Sequence, residues 1–269
     1  MFTTLITDCY DDNARVRQTS RIASLITTDV SLLGVDSDLA AGMQLIDVLD
    51  ATEGRPGIIL VNIAPRGGHT TKWENGTPFG YFWHHDTLVI SSVDGLALAA
   101  AKKLGLVSEV QLLDTHTTAE VLLREGLISA EAAAHMPVTQ FRSFDFTPRA
   151  GVFLFNGGQL PSEPYGLENI SDLPPAIWHI DSFGNCKTTL LPEDITTDAT
   201  ETRFGTFPYT VQLRNLPDTT TSLIRGSSGL GTTRFLELMT QRRNFATAHN
   251  AKIGDNIFTA ENHAVRATA

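Results

Sequence analysis

The most informative stretch of this chain lies between two strand-like segments and reads Ile180-Asp181-Ser182-Phe183-Gly184-Asn185-Cys186-Lys187-Thr188-Thr189. Gly184 allows the backbone to turn and to approach a ligand closely. Asp181 and Asn185 could then face the same small molecule. The same residues also suit an ordinary hairpin turn, because Asp, Ser, Gly and Asn favour turns for local reasons. Taken alone, the stretch supports both interpretations.

The chain before this stretch alternates between strand and helix patterns. Strands are predicted at Phe2–Thr7, 30–35, 57–61, 87–90 and 107–113, and helices at 11–26, 37–49, 96–104 and 117–124. Ser37 or Asp38 is expected to cap the second helix. Residues 57–61 are almost uninterruptedly apolar, as in a strand covered on both faces. This alternation predicts a three-layer α/β domain over residues 1–165 with a mostly parallel sheet.

The pattern changes after the first of four prolines, at positions 161, 164, 174 and 175. These breakers predict a linker at residues 166–175. Short strands are predicted beyond it at Ile177–Ile180, 187–191, 208–213 and 222–224, with one helix at 233–242. Residues 176–269 are therefore expected to form a small domain rich in β-structure.

Composition excludes several classes of protein. A formal net charge of −10 argues against nucleic-acid binding, which requires a basic face. Two cysteines, Cys9 and Cys186, make neither a disulfide framework nor a zinc signature. No segment has the length and apolarity of a membrane span, and no basic leader precedes an apolar run. We expect no membrane association and a cytoplasmic location.

The order of motifs along the chain resembles that of the S-adenosylmethionine hydroxide adenosyltransferase family, which includes the fluorinases and chlorinases. The resemblance rests on the 180–189 stretch and on Leu5-Ile6-Thr7-Asp8, Gly226-Ser227-Ser228-Gly229, Phe235-Leu236-Glu237-Leu238, Arg243-Asn244-Phe245-Ala246 and Lys252-Ile253-Gly254-Asp255. It implies an α/β N-terminal domain, a C-terminal β-barrel, and a homotrimer that binds a nucleoside between subunits. It implies no cofactor besides S-adenosylmethionine itself, as substrate or ligand.

The same resemblance assigns roles to the substrate-binding residues. Asp8, at the carboxyl end of the first strand, would accept two hydrogen bonds from a ribose diol, although it could also cap the next helix. Asp181 would hold the ammonium of the methionine moiety, and Asn185 an adenine edge or the amino acid. The hydroxyls of Ser227 and Ser228 would hold a carboxylate, unless they form a simple flexible turn. The adenine-reading motif falls on Arg243 and Asn244, followed by Phe245, which could stack on the base, obstruct it or belong to the core.

The N-terminal domain departs from the family pattern where the hydrolases activate water. Their Asp, Arg and His positions fall on Ala64, on Thr71 or Lys72, and on Arg142. Losing these groups removes the acid–base machinery that would activate water. Arg142 with Arg66 or Lys72 is instead expected to position an anionic nucleophile. Further polar groups in this region are His69, His84, His85 and Asp86; adjacent residues of a strand point to opposite faces, so we expect no metal site.

The sequence therefore predicts an S-adenosylmethionine-binding protein, similar to an adenosyltransferase or hydrolase, that acts at the ribose C5′. The nucleophile stays open. Two alternatives remain: a non-catalytic protein that binds S-adenosylmethionine or another nucleoside, and a hydrolase of a different nucleoside ligand.

Overall fold

The computed structural model describes residues 1–64, 76–195 and 199–259. Within these residues, the first unit of the chain, Met1–Asp172, contains a seven-stranded mixed sheet. Its strands are β1 (Phe2–Thr7), β2 (Val30–Gly34), β3 (Gly57–Asn62), β4 (Phe79–His84), β5 (Thr87–Ser92), β6 (Glu109–Leu113) and β7 (Ser162–Gly166). They are ordered β2-β1-β3-β5-β4-β6-β7.

The sheet is only partly parallel, so the prediction of a mostly parallel sheet is wrong for half of it. Strands β2, β1, β3 and β5 run parallel, whereas β4, β6 and β7 pair antiparallel with their neighbours. The reversal comes from a tight hairpin between β4 and β5, which needs no crossover helix. Its turn includes His85 at φ 52°.

Seven helices of the described residues accompany this sheet. They are α1 (Asp12–Leu25), α2 (Asp38–Thr52), α3 (Ala99–Lys103), α4 (Thr115–Arg124), α5 (Ala130–His135), α6 (Arg142–Asp145) and α7 (Thr147–Phe155). The predicted cap of the second helix is confirmed, because the Ser37 hydroxyl accepts from the Ala40 N–H. Helix α7 packs closely on the sheet at Gly151, where a Cβ would lie 3.3 Å from Leu60 and 3.4 Å from Ile90.

The stretch predicted as a linker, residues 166–175, follows an ordered strand and shares only its first residue, Gly166, with that strand. Residues 162–166 form the edge strand β7, which pairs with β6. Pro164 is tolerated there because an edge strand can leave one side without a backbone donor. The boundary between the two units falls between Asp172 and Leu173.

The second unit, Leu173–Ala269, contains a six-stranded sheet within its described residues. Its strands are β8 (Ile177–Ile180), β9 (Cys186–Thr188), β10 (Ala199–Thr202), β11 (Gly205–Thr210), β12 (Thr221–Leu230) and β13 (Thr233–Thr240), in the order β10-β11-β12-β13-β9-β8. One helix follows, α8 (Phe245–His249). In the described part of this unit β10 and β8 are the two edges, so the closure expected of a barrel is not found.

Two predictions in this unit are wrong. The helix expected at 233–242 is strand β13, which pairs with β12 on one side and with β9 on the other. These pairings decide the structure, because the apolar spacing of the segment fits a helix as well. Ser227 and Ser228 do not form a flexible turn but lie within β12, where the register shifts between Arg225 and Gly229.

No helix among residues 1–64, 76–195 and 199–259 is long and apolar enough to cross a membrane.

Candidate functional site

The carboxyl ends of four parallel strands meet at one edge of the first sheet. Thr7 of β1 pairs with Gly34 of β2 and with Asn62 of β3, and Val61 of β3 pairs with Ser91 of β5. The residues that follow these strands therefore lie side by side. Open α/β sheets bind their ligands at this edge.

Asp8 lies at this edge, directly after β1, as predicted. Its Oδ2 accepts a hydrogen bond of 3.0 Å from the Ala64 N–H. Its Oδ1 is buried and has no hydrogen-bond partner among the described residues. The alternative in which Asp8 caps the next helix is wrong, because the Asp11 carboxylate accepts from the Asn13 and Ala14 N–H groups instead. A buried carboxylate oxygen without a donor is costly, so Asp8 is suited to a ligand that supplies one.

Two further acids, which the sequence reasoning missed, follow parallel strands at the same edge. Asp36 accepts a hydrogen bond of 2.5 Å from the Tyr10 hydroxyl, and this bond raises the pKa of Tyr10. The Tyr10 ring lies against Gly34, where a Cβ would come within 2.4 Å of it. Asp94 is buried after β5, and its Oδ1 accepts from the Gly95 N–H. Asp36 directly follows the predicted strand 30–35 and Asp94 lies four residues beyond the predicted strand 87–90, so an acid shortly after a predicted parallel strand was the signal that would have found both.

Arg142 reaches this edge but is engaged with the chain itself. Its guanidinium donates to the Thr77 carbonyl, and its Cζ lies 5.0 Å from the centre of the Phe79 ring. Phe79 begins β4 and pairs with Ser92 at the end of β5, which places Arg142 at the ligand-binding edge. Burial lowers the pKa of Arg142. Its expected partners Arg66 and Lys72, with His69 and Thr71, lie outside the described residues.

We predict that Arg142→Lys lowers the free energy of unfolding by about 1–2 kcal/mol, because a lysine loses the planar stacking on Phe79 and the fixed fork toward Thr77. Urea denaturation followed by circular dichroism measures this. Arg124→Lys is the matched control. The Arg124 side chain is 70 % exposed, and its ion pair with Glu125, at 3.5 Å, lies at the surface. Its replacement should therefore change the free energy of unfolding by less than about 0.5 kcal/mol. Equal stability of the two variants would contradict this role for Arg142.

The histidine pair lies at the other end of the sheet. His84 ends β4, and Thr87, two residues after His85, pairs with Gly57 at the start of β3. These histidines and Asp86 therefore do not join Asp8. Burial, and next the charge of His85, lower the pKa of His84. Across the described ranges, no group of three His, Cys, Asp or Glu side chains could hold a metal ion.

In the second unit, the Asp181–Asn185 stretch forms a tight turn between β8 and β9. The Asp181 carboxylate accepts three hydrogen bonds from within it, each of 2.9 Å, from the Phe183 N–H, the Asn185 N–H and the Asn185 side-chain amide. The Gly184 N–H donates to the Asp181 carbonyl at 3.0 Å. The local interpretation of this stretch as a hairpin turn is therefore confirmed. It does not exclude a ligand contact, because a carboxylate offers about four acceptor positions.

Gly184 joins this turn to helix α8. Its φ is 83°, and a Cβ on it would lie 2.1 Å from the side chain of Asn244. Asn244 caps α8 by accepting from the Thr247 N–H at 2.7 Å, and the Ala246 N–H donates to the Gly184 carbonyl at 3.0 Å. The structure thus brings together Asn185, Arg243 and Asn244, three of the residues assigned to substrate binding by the resemblance.

These residues line an open cleft of about 570 Å³, together with Phe183, Leu213, Met239, Thr240, Gln241 and Arg242. The volume is in the range of small-molecule sites. Phe183 is 76 % exposed beside it. Phe245, in contrast, is fully buried and stacks on His249 with ring centres 4.3 Å apart, so it belongs to the core.

We predict that Gly184→Ala lowers the free energy of unfolding by about 2–4 kcal/mol, since it adds both backbone strain and a clash with a side chain that is held as a helix cap. Gly254→Ala separates the two causes. Gly254 has a φ of 88° but nothing within 4 Å of its Cβ position, so its replacement should cost only about 1–2 kcal/mol. Chemical denaturation of the two variants makes the comparison, and equal losses would show that the contact with Asn244 contributes nothing.

Ser227 and Ser228 belong to a separate polar group in the same unit, and neither lines the cleft. Lys187, which the sequence reasoning missed, donates to the Ser227 hydroxyl at 3.1 Å and to the Ser228 hydroxyl at 2.8 Å. Glu237 accepts from the Ser227 N–H at 3.1 Å and lies 3.9 Å from the Lys187 amine. The two hydroxyls therefore accept hydrogen bonds from Lys187, and the Glu237 carboxylate lies next to the lysine amine.

Comparison with known proteins identifies similar folds and no family. No protein-family model matches the sequence, and no curated protein matches it. A structure described as an uncharacterized conserved protein from Thermotoga maritima matches over 94% of this chain and 98% of its own, with a TM-score of 0.61 and 14% identity. A conserved hypothetical protein from Thermus thermophilus matches over 94% of this chain and 96% of its own, with a TM-score of 0.54 and 17% identity. Both similarities concern the fold alone.

Proposed function

We propose that this protein binds an adenosyl nucleoside, S-adenosylmethionine foremost, and acts at its ribose C5′ in the manner of the S-adenosylmethionine hydroxide adenosyltransferases. The observation that carries the proposal is the Asp8 carboxylate. One oxygen is fixed by the Ala64 N–H, and the other is buried without a donor among the described residues. A ribose diol supplies two adjacent hydroxyl donors, which suits a carboxylate held in this way.

The second unit supports the proposal through its cleft. The Asn185 NH₂ group donates to Asp181, and the Asn244 carbonyl accepts from the Thr247 N–H. The Asn185 carbonyl and the Asn244 NH₂ group are then the acceptor and the donor that recognition of an adenine edge requires. Arg243 adds a cation to the cleft, and the Asp181 carboxylate accepts from the Asn185 N–H in the turn that both residues share. The proposed assembly is a homotrimer, as the resemblance implies. Light scattering at several protein concentrations tests the trimer.

The displacement at C5′ requires little from the protein beyond positioning the nucleophile and the carbon. A nucleophile attacks C5′ as the C5′–S bond breaks, and the bonding electrons leave with sulfur as neutral methionine thioether. Holding the nucleophile and the carbon in line can supply roughly 7–11 kcal/mol. Ala64 stands where the family's hydrolases carry an acid, so activation of water should be poor and hydrolysis slow.

Calorimetric titration with S-adenosylmethionine and adenosine, combined with chromatography of the incubated mixture, tests the proposal. Binding with release of adenosine and methionine supports a hydrolase, because water then becomes the 5′-hydroxyl. Formation of a 5′-halo-5′-deoxyadenosine and methionine, only when a halide is added, supports a transferase. Binding without turnover supports the non-catalytic alternative. The presence of Ala64 where the family's hydrolases carry an acid favours this alternative. Stabilisation by other nucleosides but not by S-adenosylmethionine would overturn the proposed ligand.

A further inference from the structure

Two arginines on the exposed side of α1 stack on aromatic rings. The Cζ of Arg17 lies 4.9 Å from the centre of the Phe141 ring and 4.7 Å from that of Phe144, and the Cζ of Arg21 lies 4.3 Å from Phe144. The two guanidinium carbons are therefore at most 9.0 Å apart, the sum of their distances to the Phe144 ring. Stacking fixes the guanidinium planes and leaves their N–H edges for another partner.

The positive charge of this pair is not compensated nearby. Among the described residues neither Arg17 nor Arg21 forms an ion pair with an acid. Arg149 is also close, since the charge of Arg21 contributes, after burial, to lowering the pKa of Arg149. The neighbouring Asp145 is engaged by Arg149 at 3.5 Å, by the Thr139 hydroxyl at 2.7 Å and by His135 at 3.6 Å. Arg17 and Arg21 thus form a local cationic patch on a chain with a net charge of −10, and such a patch raises the local concentration of anions.

The two arginines line an open groove of about 380 Å³, with Val16, Ser20, Ser24 and Phe144. Its walls carry two guanidinium groups and two hydroxyls but no acidic side chain. A carboxylate would use only one of the two guanidinium forks well. A phosphate group carries a charge of about −1.5 to −2 at neutral pH and three acceptor oxygens, which matches two forks and a hydroxyl.

We propose that this groove is a second binding site, which takes a small phosphate monoester through Arg17 and Arg21. The site lies on elements that also carry the ligand-binding edge: α1 follows the Asp8 segment, and Phe141 and Phe144 flank Arg142. This groove is separate from the proposed nucleoside site. Among the described residues, no side chain of the groove forms a hydrogen bond with the Asp8 carboxylate.

Phosphorus-31 NMR titration of the full chain with inorganic phosphate and with glycerol 2-phosphate, at constant ionic strength in chloride, tests the site. Both should bind saturably, and the Arg17→Gln/Arg21→Gln double variant should weaken binding by about tenfold or more. Arg15→Gln removes one charge from the same helix without touching the groove, and it should change the affinity by less than about twofold.

The Arg17→Lys/Arg21→Lys variant keeps the charge but loses the stacked forks, so it should also bind phosphate more weakly than the unmodified protein. Circular dichroism shows whether the glutamine double variant is folded. If it is not, the lysine double variant tests the site in its place. Equal weakening by Arg15→Gln, undiminished binding by the lysine variant, or no saturable binding of either phosphate would overturn the proposal. Binding of S-adenosylmethionine to these variants should be unchanged within about twofold, which keeps this test separate from that of the nucleoside site.

Discussion

Asp8→Asn should weaken the binding of adenosine and S-adenosylmethionine by about a hundredfold or more. The asparagine carbonyl can still accept from the Ala64 N–H, but its NH₂ group then replaces the oxygen that faces the ribose. Two hydrogen bonds to a charged group are lost, each worth about 1.5–3 kcal/mol, and a loss of about 2.8 kcal/mol is a hundredfold. Isothermal titration calorimetry measures both affinities.

The same variant separates a ligand contact from a structural one. Because the Asp8 Oδ1 has no partner among the described residues, its replacement should lower the free energy of unfolding without ligand by less than about 1 kcal/mol. Asp11→Asn is the matched control: it changes the cap of α1, the neighbouring element, and should leave the affinity within about twofold. A large loss of stability with unchanged affinity would show that Asp8 serves the fold.

Asp181→Ala should lower the free energy of unfolding of the second unit by about 2–5 kcal/mol. It removes the acceptor of three hydrogen bonds and leaves the N–H groups of Phe183 and Asn185 without it. The turn also carries Gly184, which contacts Asn244, so the cleft should loosen as well. Hydrogen exchange followed by mass spectrometry, read on peptides that cover β8 and β9, measures the effect locally.

Asp181→Asn distinguishes the turn from the expected pairing with an ammonium group. The asparagine carbonyl can accept from the same two N–H groups, so stability should change less than in the alanine variant. If the carboxylate also pairs with the ammonium of the ligand, S-adenosylmethionine binding should weaken by about 2–5 kcal/mol while adenosine binding stays nearly unchanged. Equal losses for the two ligands would show that Asp181 serves only its turn.

Local sequence signals predicted much of the first unit. Strand β1 has the bounds expected for it, and Ser37 caps its helix, because both depend on neighbours in the sequence. Strand β4 was missed although its run Phe79-Gly80-Tyr81-Phe82-Trp83-His84 is rich in aromatic residues, which favour strands. Because β4 was missed, the antiparallel pairings of β4 with β5 and β6 were missed as well, and the sheet was predicted to be mostly parallel.

Distant pairing explains the remaining errors. Residues 235–239 have apolar spacing that suits a helix, and only their partners in β12 and β9 make them a strand. The network of Lys187 with Ser227 and Ser228 joins residues that lie 40 and 41 positions apart. Asp8, in contrast, could be placed from sequence alone, because the end of a strand fixes which edge of the sheet a residue occupies.

The most direct test of the central proposal is a calorimetric titration of S-adenosylmethionine into the unmodified protein and into Asp8→Asn, side by side. The proposal predicts saturable binding to the unmodified protein, competition by adenosine, and a loss of about a hundredfold in the variant. Absence of binding at millimolar S-adenosylmethionine, or equal affinity of the two proteins, would contradict it.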